Sequence, residues 1–255
     1  MPFKSQRIME PEVMETLEEV YAYDRLSLKY LSILHNGFIE TVINASPEKG
    51  RFLEVGCGTG RITIGVAKYT EQIRIVGIDL SDSMLAVAKD NATTEGVNHR
   101  VQFRYADGKE LPFEDNAFDA VFSHNMLHHL HDPIPVILEM ARVVKEDGAF
   151  LIRDLVRKSR FMARLHANFF GLTYTALMKK EYFDSMIAAF SKQEFESFIA
   201  LSGIEGLTYT QQFITHHGIE KPSIRKRETP VSIPDSFTKS ILKNLYVSRY
   251  QVDVK

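Results

Sequence analysis

The chain has 255 residues, of which 44% are hydrophobic and 25% charged, with a formal net charge of −2. That balance suits a globular protein with a substantial buried core and gives no general pull toward nucleic acid or anionic membranes. The single cysteine, Cys57, excludes an internal disulfide, a zinc site built from several thiolates, and chemistry that needs several cysteines to hold a soft metalloid.

The opening MPFKSQRIMEPEV has no apolar core after its first basic residues, and no run of 18 apolar residues follows anywhere. Neither a signal peptide nor a transmembrane helix is therefore expected, and a cytoplasmic, reducing setting is the default. Residues 1–50 read as a helical cap, because Leu26, Tyr30, Leu31, Ile33, Leu34 and Phe38 recur at helical spacing with charged residues between them. At Arg51 the pattern changes. RFLEVG reads as a buried strand, then a glycine-rich turn, then the helical ITIGVAKYT. IRIVGIDL is a second strand, and SDSMLAVAKDNATTEG a helix with Ser81 as N-cap and Gly96 just past its end.

RVQFRYAD and FDAVFS are the third and fourth strands. Asp132 then caps a helix opened by Pro133, carried by IPVILEMARVVK and closed by Gly148; AFLIRDL is the fifth strand. Strands alternating with helices at this spacing give a parallel sheet with helices on both faces. Beyond Val156 the alternation stops. A helical insertion rich in aromatic and methionine residues is expected over about 157–190, then the helix SKQEFESFIALSG and two more strands within GLTYTQQFITHHGIEK. Residues 51–221 thus form one core, and 222–255 a Pro-bounded, solvated linker with a C-terminal helical extension.

The glycine turn EVGCGTGR places Gly56, Gly58 and Gly60 between a buried strand and a helix, where absent Cβ atoms let a ligand lie against backbone. A nicotinamide-binding turn prefers G-x-G-x-x-G, which here needs glycine where Arg61 stands. Asp79 ends the second strand, where a carboxylate can accept both hydroxyls of a ribose. Asp107 ends the third, where it can accept from an exocyclic adenine amine. Ligands of open α/β sheets bind at that carboxyl edge.

In this order FLEVGCGTGRIT, GIDLSDSML, ADGKELPFEDNAFDAVFSHNMLHHLHDP and EMARVVKEDGAFLI resemble class I S-adenosylmethionine-dependent methyltransferases. The nearer likeness is to the ubiquinone and menaquinone biosynthesis subgroup, and it covers roughly residues 50–155. It implies a Rossmann-like, doubly wound α/β sheet of seven strands, mostly parallel with the last antiparallel. It also implies S-adenosylmethionine as cofactor and S-adenosylhomocysteine as product. By position, Glu54, Gly56 and Gly58 would lie along the methionyl and ribose part, with Cys57 and Gly60 in the same turn and Asp79 on the ribose. Leu80 and Met84 would pack on the adenine, with Ala106, Asp107 and Gly108 at its edge. Asn125 would sit near the methionyl group, and Tyr23, in EVYAYDRLS, on the helix that closes over it. RVVKEDG departs from the Pro-Gly-Gly turn common in the subgroup, and the residues after Val156 match no particular subfamily.

Methyl transfer is an in-line displacement in which the protein holds acceptor and methyl in near-attack geometry. A general base is needed when the acceptor is a hydroxyl, an acidic carbon or a protonated amine. His128 is the first candidate, with His124, Tyr21, Tyr23 and Asp154 behind it. If helical, His124, His128 and His131 would share one face at metal-like spacing, but Asp132-Pro133 starts a new helix and no carboxylate completes a set, so no metal is expected.

The expected partner is a small methyl acceptor, apolar or amphipathic, under the insertion. The basic flanks of that insertion allow peripheral membrane contact. No nucleic acid is expected, and a homodimer could form through the C-terminal extension. The rival readings are a methyltransferase acting on RNA or protein, and a non-catalytic cofactor-binding protein of the same fold.

Overall fold

The computed structural model describes residues 7–9, 17–30, 32–170, 176–212, 215–233 and 249–252. Two helices, α1 (Leu17–Tyr30) and α2 (Ser32–Ala45), precede the sheet. The parallel strands β1 (Lys49–Val55), β2 (Gln72–Asp79), β3 (Val101–Tyr105), β4 (Phe118–His124) and β5 (Val144–Leu155) follow. Between them run α3 (Arg61–Lys68), α4 (Asp82–Thr94) and α5 (Ile134–Val143). Then come α6 (Arg160–Phe170), α7 (Ala176–Ala188), α8 (Lys192–Ser202), β6 (Thr208–Gln212), β7 (His216–Lys221) and β8 (Arg249–Val252).

The sheet order is β3-β2-β1-β4-β5-β7-β6-β8. The first five strands pair in parallel, while β7 lies antiparallel between β5 and β6. All seven expected strands are present with the expected directions. Chain order reverses between β1 and β4, and such a switch point opens a crevice beyond the strand ends. One core layer (Phe38, Val42, Phe52, Ile64, Phe122 and neighbours) packs α2–α4 on one face; another (Val121, Ile137, Met140, Phe150, Phe195 and neighbours) packs α5 and α8 on the other. Two helix starts are capped: the Ser81 hydroxyl, as expected, accepts from Met84 N–H at 3.2 Å, and Ser191 with Glu194 forms a capping box ahead of α8.

Three expectations change. Helix α5 ends at Val143 rather than at Gly148, because Val144 already pairs with Phe118 and β5 begins there. The basic linker is docked rather than solvated: Ser223 N–H donates to Ala45 O, Asn44 exchanges two bonds with Val231, Arg225 pairs with Asp119 and Asp147, and Ile233 enters the core. Of the helical extension expected within 222–255, residues 234–248 and 253–255 lie outside the described ones, and Arg249–Val252 pairs with β6 as an antiparallel eighth strand. Among the described residues, no helix is long and apolar enough to cross a membrane.

Candidate active site

The turn after β1 is built on left-handed backbone, with φ of 73° at Gly56, 50° at Gly58 and 77° at Gly60. The three glycines serve different ends. A Cβ on Gly56 would stand 2.2 Å from Met126 Cγ, and one on Gly60 2.7 Å from the Phe103 ring, so both are needed for packing within the protein. At Gly58 a Cβ would meet nothing within 4 Å. Of the three glycines of this turn, Gly58 is the one where the backbone faces open space.

Asp79 organises that turn. Its Oδ2 accepts from Gly58 N–H at 2.8 Å and its Oδ1 from Ser81 N–H at 3.0 Å, which ties the end of β2 to the turn after β1. Burial raises the Asp79 carboxyl, against the pull of the Gly58, Ser81 and Leu80 amides. Leu80 and Met84 flank it, half-buried, and Ala106 N–H donates to Asp79 O at 3.3 Å. Asp107 is exposed one residue further on, its Oδ1 accepting from Lys109 N–H at 2.8 Å, while Gly108 packs beneath it against Val55 and Val136. Across the crevice Asn125 adopts φ 51°, and its buried Oδ1 has no hydrogen-bond partner among the described residues. A buried acceptor of this kind calls for a group that donates to it.

Glu54 and Cys57 turn inward, not toward the open side of Gly58. Both the N–H and the hydroxyl of Thr63 donate to Glu54 Oε2, so this carboxyl closes the first turn of α3 from inside the core. Cys57 packs against Gly77, where a Cβ would come within 3.0 Å of its Sγ. Tyr21, the third base candidate, lies on the outer side of α1. It is 40% exposed and its hydroxyl donates to Asp90 Oδ2 on α4 at 2.9 Å. Tyr23 is half-buried on the same helix, next to Asp24.

Sequence reasoning missed what pins that helix. Arg61 grips Asp24 with both arms of its guanidinium and reaches Asn91 Oδ1 at 3.2 Å, while Asn91 Nδ2 donates to Thr59 O at 3.0 Å. The arginine that spoils a nicotinamide fingerprint thus locks the N-terminal cap onto the glycine turn. Arg7 was missed too. Stacked 3.7 Å from the Phe190 ring, it donates to Ala188 O at 2.7 Å and to His128 O and Leu130 O at 3.0 Å each. It joins the N-terminal arm to the end of α7 and to the turn after β4. Nothing in the sequence pattern pairs these distant positions.

The two leading base candidates lie at the end of β4 and in the turn after it, and the structure separates them. His124 is buried, 4.8 Å from the Phe38 ring in a stack and 6.2 Å from His216. Burial, with His35, His216 and Arg153 around it, pushes its imidazole well below the ordinary value. Its ring packs between Phe38 and His216, and its buried Nε2 has no hydrogen-bond partner among the described residues. His128 sits in a single 3-10 turn, Leu127–His129, with Nδ1 2.6 Å from Asp154 Oδ1 and its own N–H 3.1 Å from Asp154 Oδ2. Burial alone would raise Asp154, but the His128 charge and hydrogen bond and the Leu155 N–H hold it at about 2. An ionised carboxylate only accepts, so Nδ1 carries the proton and Nε2 is the basic nitrogen. Among the described residues no set of three or more His, Cys, Asp or Glu could hold a metal ion.

The buried titrating groups fix a pH profile for stability. His216 and His217 are held at about 3 and about 4 by burial, below their ordinary 6.5, so the unfolded chain binds more protons and stability rises with pH up to about 6.5. Glu54 is pushed by burial from 4.5 to about 8, so the folded chain binds the extra proton and stability falls as pH rises toward 8. The four buried imidazoles, His35, His124, His216 and His217, outweigh the raised carboxyls below 6.5; above it Glu54 sets the slope, at most about 1.4 kcal/mol per pH unit. Denaturant titrations should show this decline between pH 6.5 and 8 and its loss in Glu54→Gln. A decline of equal slope in the variant would remove Glu54 as its cause.

Comparison with known proteins agrees with this geometry. Residues 53–152 match the family model described as a methyltransferase domain. The chain is 32% identical over 155 residues to the 27-O-demethylrifamycin SV methyltransferase of Amycolatopsis mediterranei, covering 61% of this chain and 54% of that protein. It is 27% identical over 175 residues to the ubiquinone/menaquinone biosynthesis C-methyltransferase of Geobacter sulfurreducens, covering 65% and 68%. The chain spans about half or less of the length of most curated relatives it matches. In fold it is similar to the structure of a SAM-dependent methyltransferase from Aquifex aeolicus, with a TM-score of 0.58 at 17% identity, covering 81% of this chain and 98% of that one. Residues 53–152 thus match a methyltransferase domain, and the chain is similar in sequence and in fold to S-adenosylmethionine-dependent methyltransferases.

Proposed function

We propose that this protein transfers a methyl group from S-adenosylmethionine to a small-molecule acceptor whose reacting atom bears a removable proton. The observation that carries the reading is the buried His128–Asp154 pair, placed beside the orphaned Asn125 Oδ1 and across the crevice from the Gly58–Asp79 cradle. The residues fit the cofactor: Gly58 leaves room for it, Asp79 keeps lone pairs for ribose hydroxyls, and Asn125 accepts from its amino group. When bound, the cofactor supplies a methyl group already activated on a sulfonium.

The chain then has three tasks. Helix α1, locked by Arg61 to Asp24, and the insertion neck, clamped by Arg7, exclude water from the strand ends. The turn after β4 holds the acceptor in line with the methyl group. His128 Nε2 would take the acceptor's proton as the acceptor's electron pair displaces sulfur from the methyl carbon, the carbon–sulfur pair staying on sulfur as a neutral thioether. The Nδ1 proton stays on the ring, where Nδ1–H donates to Asp154, whose charge stabilises the imidazolium. The acceptor is read as amphipathic. Its polar end meets His128 and His124, and its apolar part lies under the insertion.

Calorimetry with S-adenosylhomocysteine should give one site, and NAD should give none. Binding of NAD with S-adenosylhomocysteine silent would overturn the cofactor assignment.

A further inference from the structure

Helix α6 is amphipathic in the reverse sense. A surface helix of a globular protein turns its large apolar side chains inward. Here the inward face is made by Ala163, His166 and Ala167, 0%, 5% and 4% exposed, and the two alanines pack with Met186 and Ile187 of the insertion. Phe161, Leu165 and Phe169, spaced four apart, and Met162 beside them form the outward stripe, at 71%, 48%, 69% and 45% exposure. At 100° per residue these four side chains span about 100° of the helix. Arg160 and Arg164, both exposed, border the stripe, and the helix carries no acidic residue.

We propose that the outward face of α6 docks on a membrane surface containing anionic lipid, with the four apolar side chains in the acyl boundary and the two arginines at lipid phosphates. An apolar stripe of this size is a docking face rather than a scatter of single exposed residues, and an interfacial helix combines an apolar stripe with bordering cations in this way. A second copy of the chain fits less well. A two-fold contact through α6 would bring Arg160 and Arg164 against their own copies, and the helix has no carboxylate to offset them.

The position of the helix agrees with such a role. The insertion leaves and rejoins the body at one neck, where Val156 bridges Phe190 and the Arg157 and Lys158 N–H groups donate to Phe190 O and Met186 O at 2.9 and 3.1 Å. That neck lies directly beyond the carboxyl end of β5, on the side of the sheet that holds His128 and Asp154. Docking by α6 would turn the acceptor side of the molecule toward the lipid.

Co-sedimentation of the whole chain with vesicles of phosphatidylglycerol mixed with phosphatidylcholine tests this without reference to cofactor or turnover. The protein should pellet with the mixed vesicles, less as salt is raised, and far less with phosphatidylcholine alone. Phe161→Ser combined with Phe169→Ser should weaken vesicle binding at least about tenfold, and Arg160→Gln and Arg164→Gln roughly fivefold each. Melting temperature and S-adenosylhomocysteine binding of Phe161→Ser alone and of the arginine variants should stay as in the parent, since Phe161, Arg160 and Arg164 are exposed. Absence of binding to the mixed vesicles would overturn the proposal, as would binding that survives loss of both phenylalanines. A parent dimer that dissociates on Phe161→Ser would also overturn it, because a second copy would then occupy the face.

Discussion

His128→Ala is expected to slow methyl transfer by about 10²–10⁴-fold while leaving S-adenosylhomocysteine affinity unchanged. The reason lies in how the pair is built. Asp154 has both oxygens committed, Oδ1 to His128 Nδ1 and to Leu155 N–H, Oδ2 to His128 N–H. It fixes the position of the turn and the tautomer of the imidazole together. Asp154→Asn keeps the shape but offers an amide where a carboxylate is needed, so Nδ1 loses its acceptor or Nε2 loses its lone pair; a rate loss of similar size follows. Asp154→Ala goes further and leaves a buried imidazole and amides unpaired, at a cost of about 3–5 kcal/mol in stability. His124→Phe gives the contrast, because a ring stacked on Phe38 is retained and no base is lost. Single-turnover transfer of labelled methyl separates these variants. A His128→Ala rate within a few-fold of the parent would mean that the acceptor needs no base from this residue.

The second large effect concerns the cofactor. Asp79→Ala removes the acceptor of two backbone bonds, at 2.8 and 3.0 Å, together with the ribose contacts assigned to it. Bonds to a charged group contribute about 1.5–3 kcal/mol each, so S-adenosylhomocysteine affinity should fall about 100-fold or more in calorimetry. Gly58→Ala tests the cradle with its own control. Its backbone, at φ 50°, makes any Cβ cost about 1–2 kcal/mol of stability. Gly96, at φ 71° with equally open surroundings, should show the same loss when replaced by alanine. Only Gly58→Ala should also lower affinity, by about tenfold or more, because its Cβ would occupy ligand space. Equal affinity in the two variants would place the ligand elsewhere.

Local pattern carries the parts of this protein that local chemistry builds. The glycine turn, Asp79 two strands into the sheet and Asp107 at the end of the third strand are legible because strand–turn–helix units are short and their ends coincide with the carboxyl edge. The pairing of His128 with Asp154 is half legible. Each residue follows or ends a strand at the right edge, but only the register of β4 with β5 brings them to 2.6 Å. The partner of Tyr21 is not legible, because a helix shows its periodicity in sequence but not the neighbour it faces, and here that neighbour is Asp90. The Arg61–Asp24 lock spans 37 positions and the Arg7 clamp over 120, distances at which no pattern survives. Helix α6 shows the same limit from the other side. Its apolar residues and its arginines are plain in the sequence, whereas the packing of Ala163 and Ala167 decides that the phenylalanines face out.

The central claim is that this chain moves a methyl group onto a small molecule, and incubation with methyl-labelled S-adenosylmethionine and a fractionated cell extract tests it most directly. The account predicts label in the low-mass organic fraction, at a rate that collapses in His128→Ala and in Asp79→Ala. Label confined to RNA or protein, or none at all from a chain that binds S-adenosylhomocysteine, would contradict it.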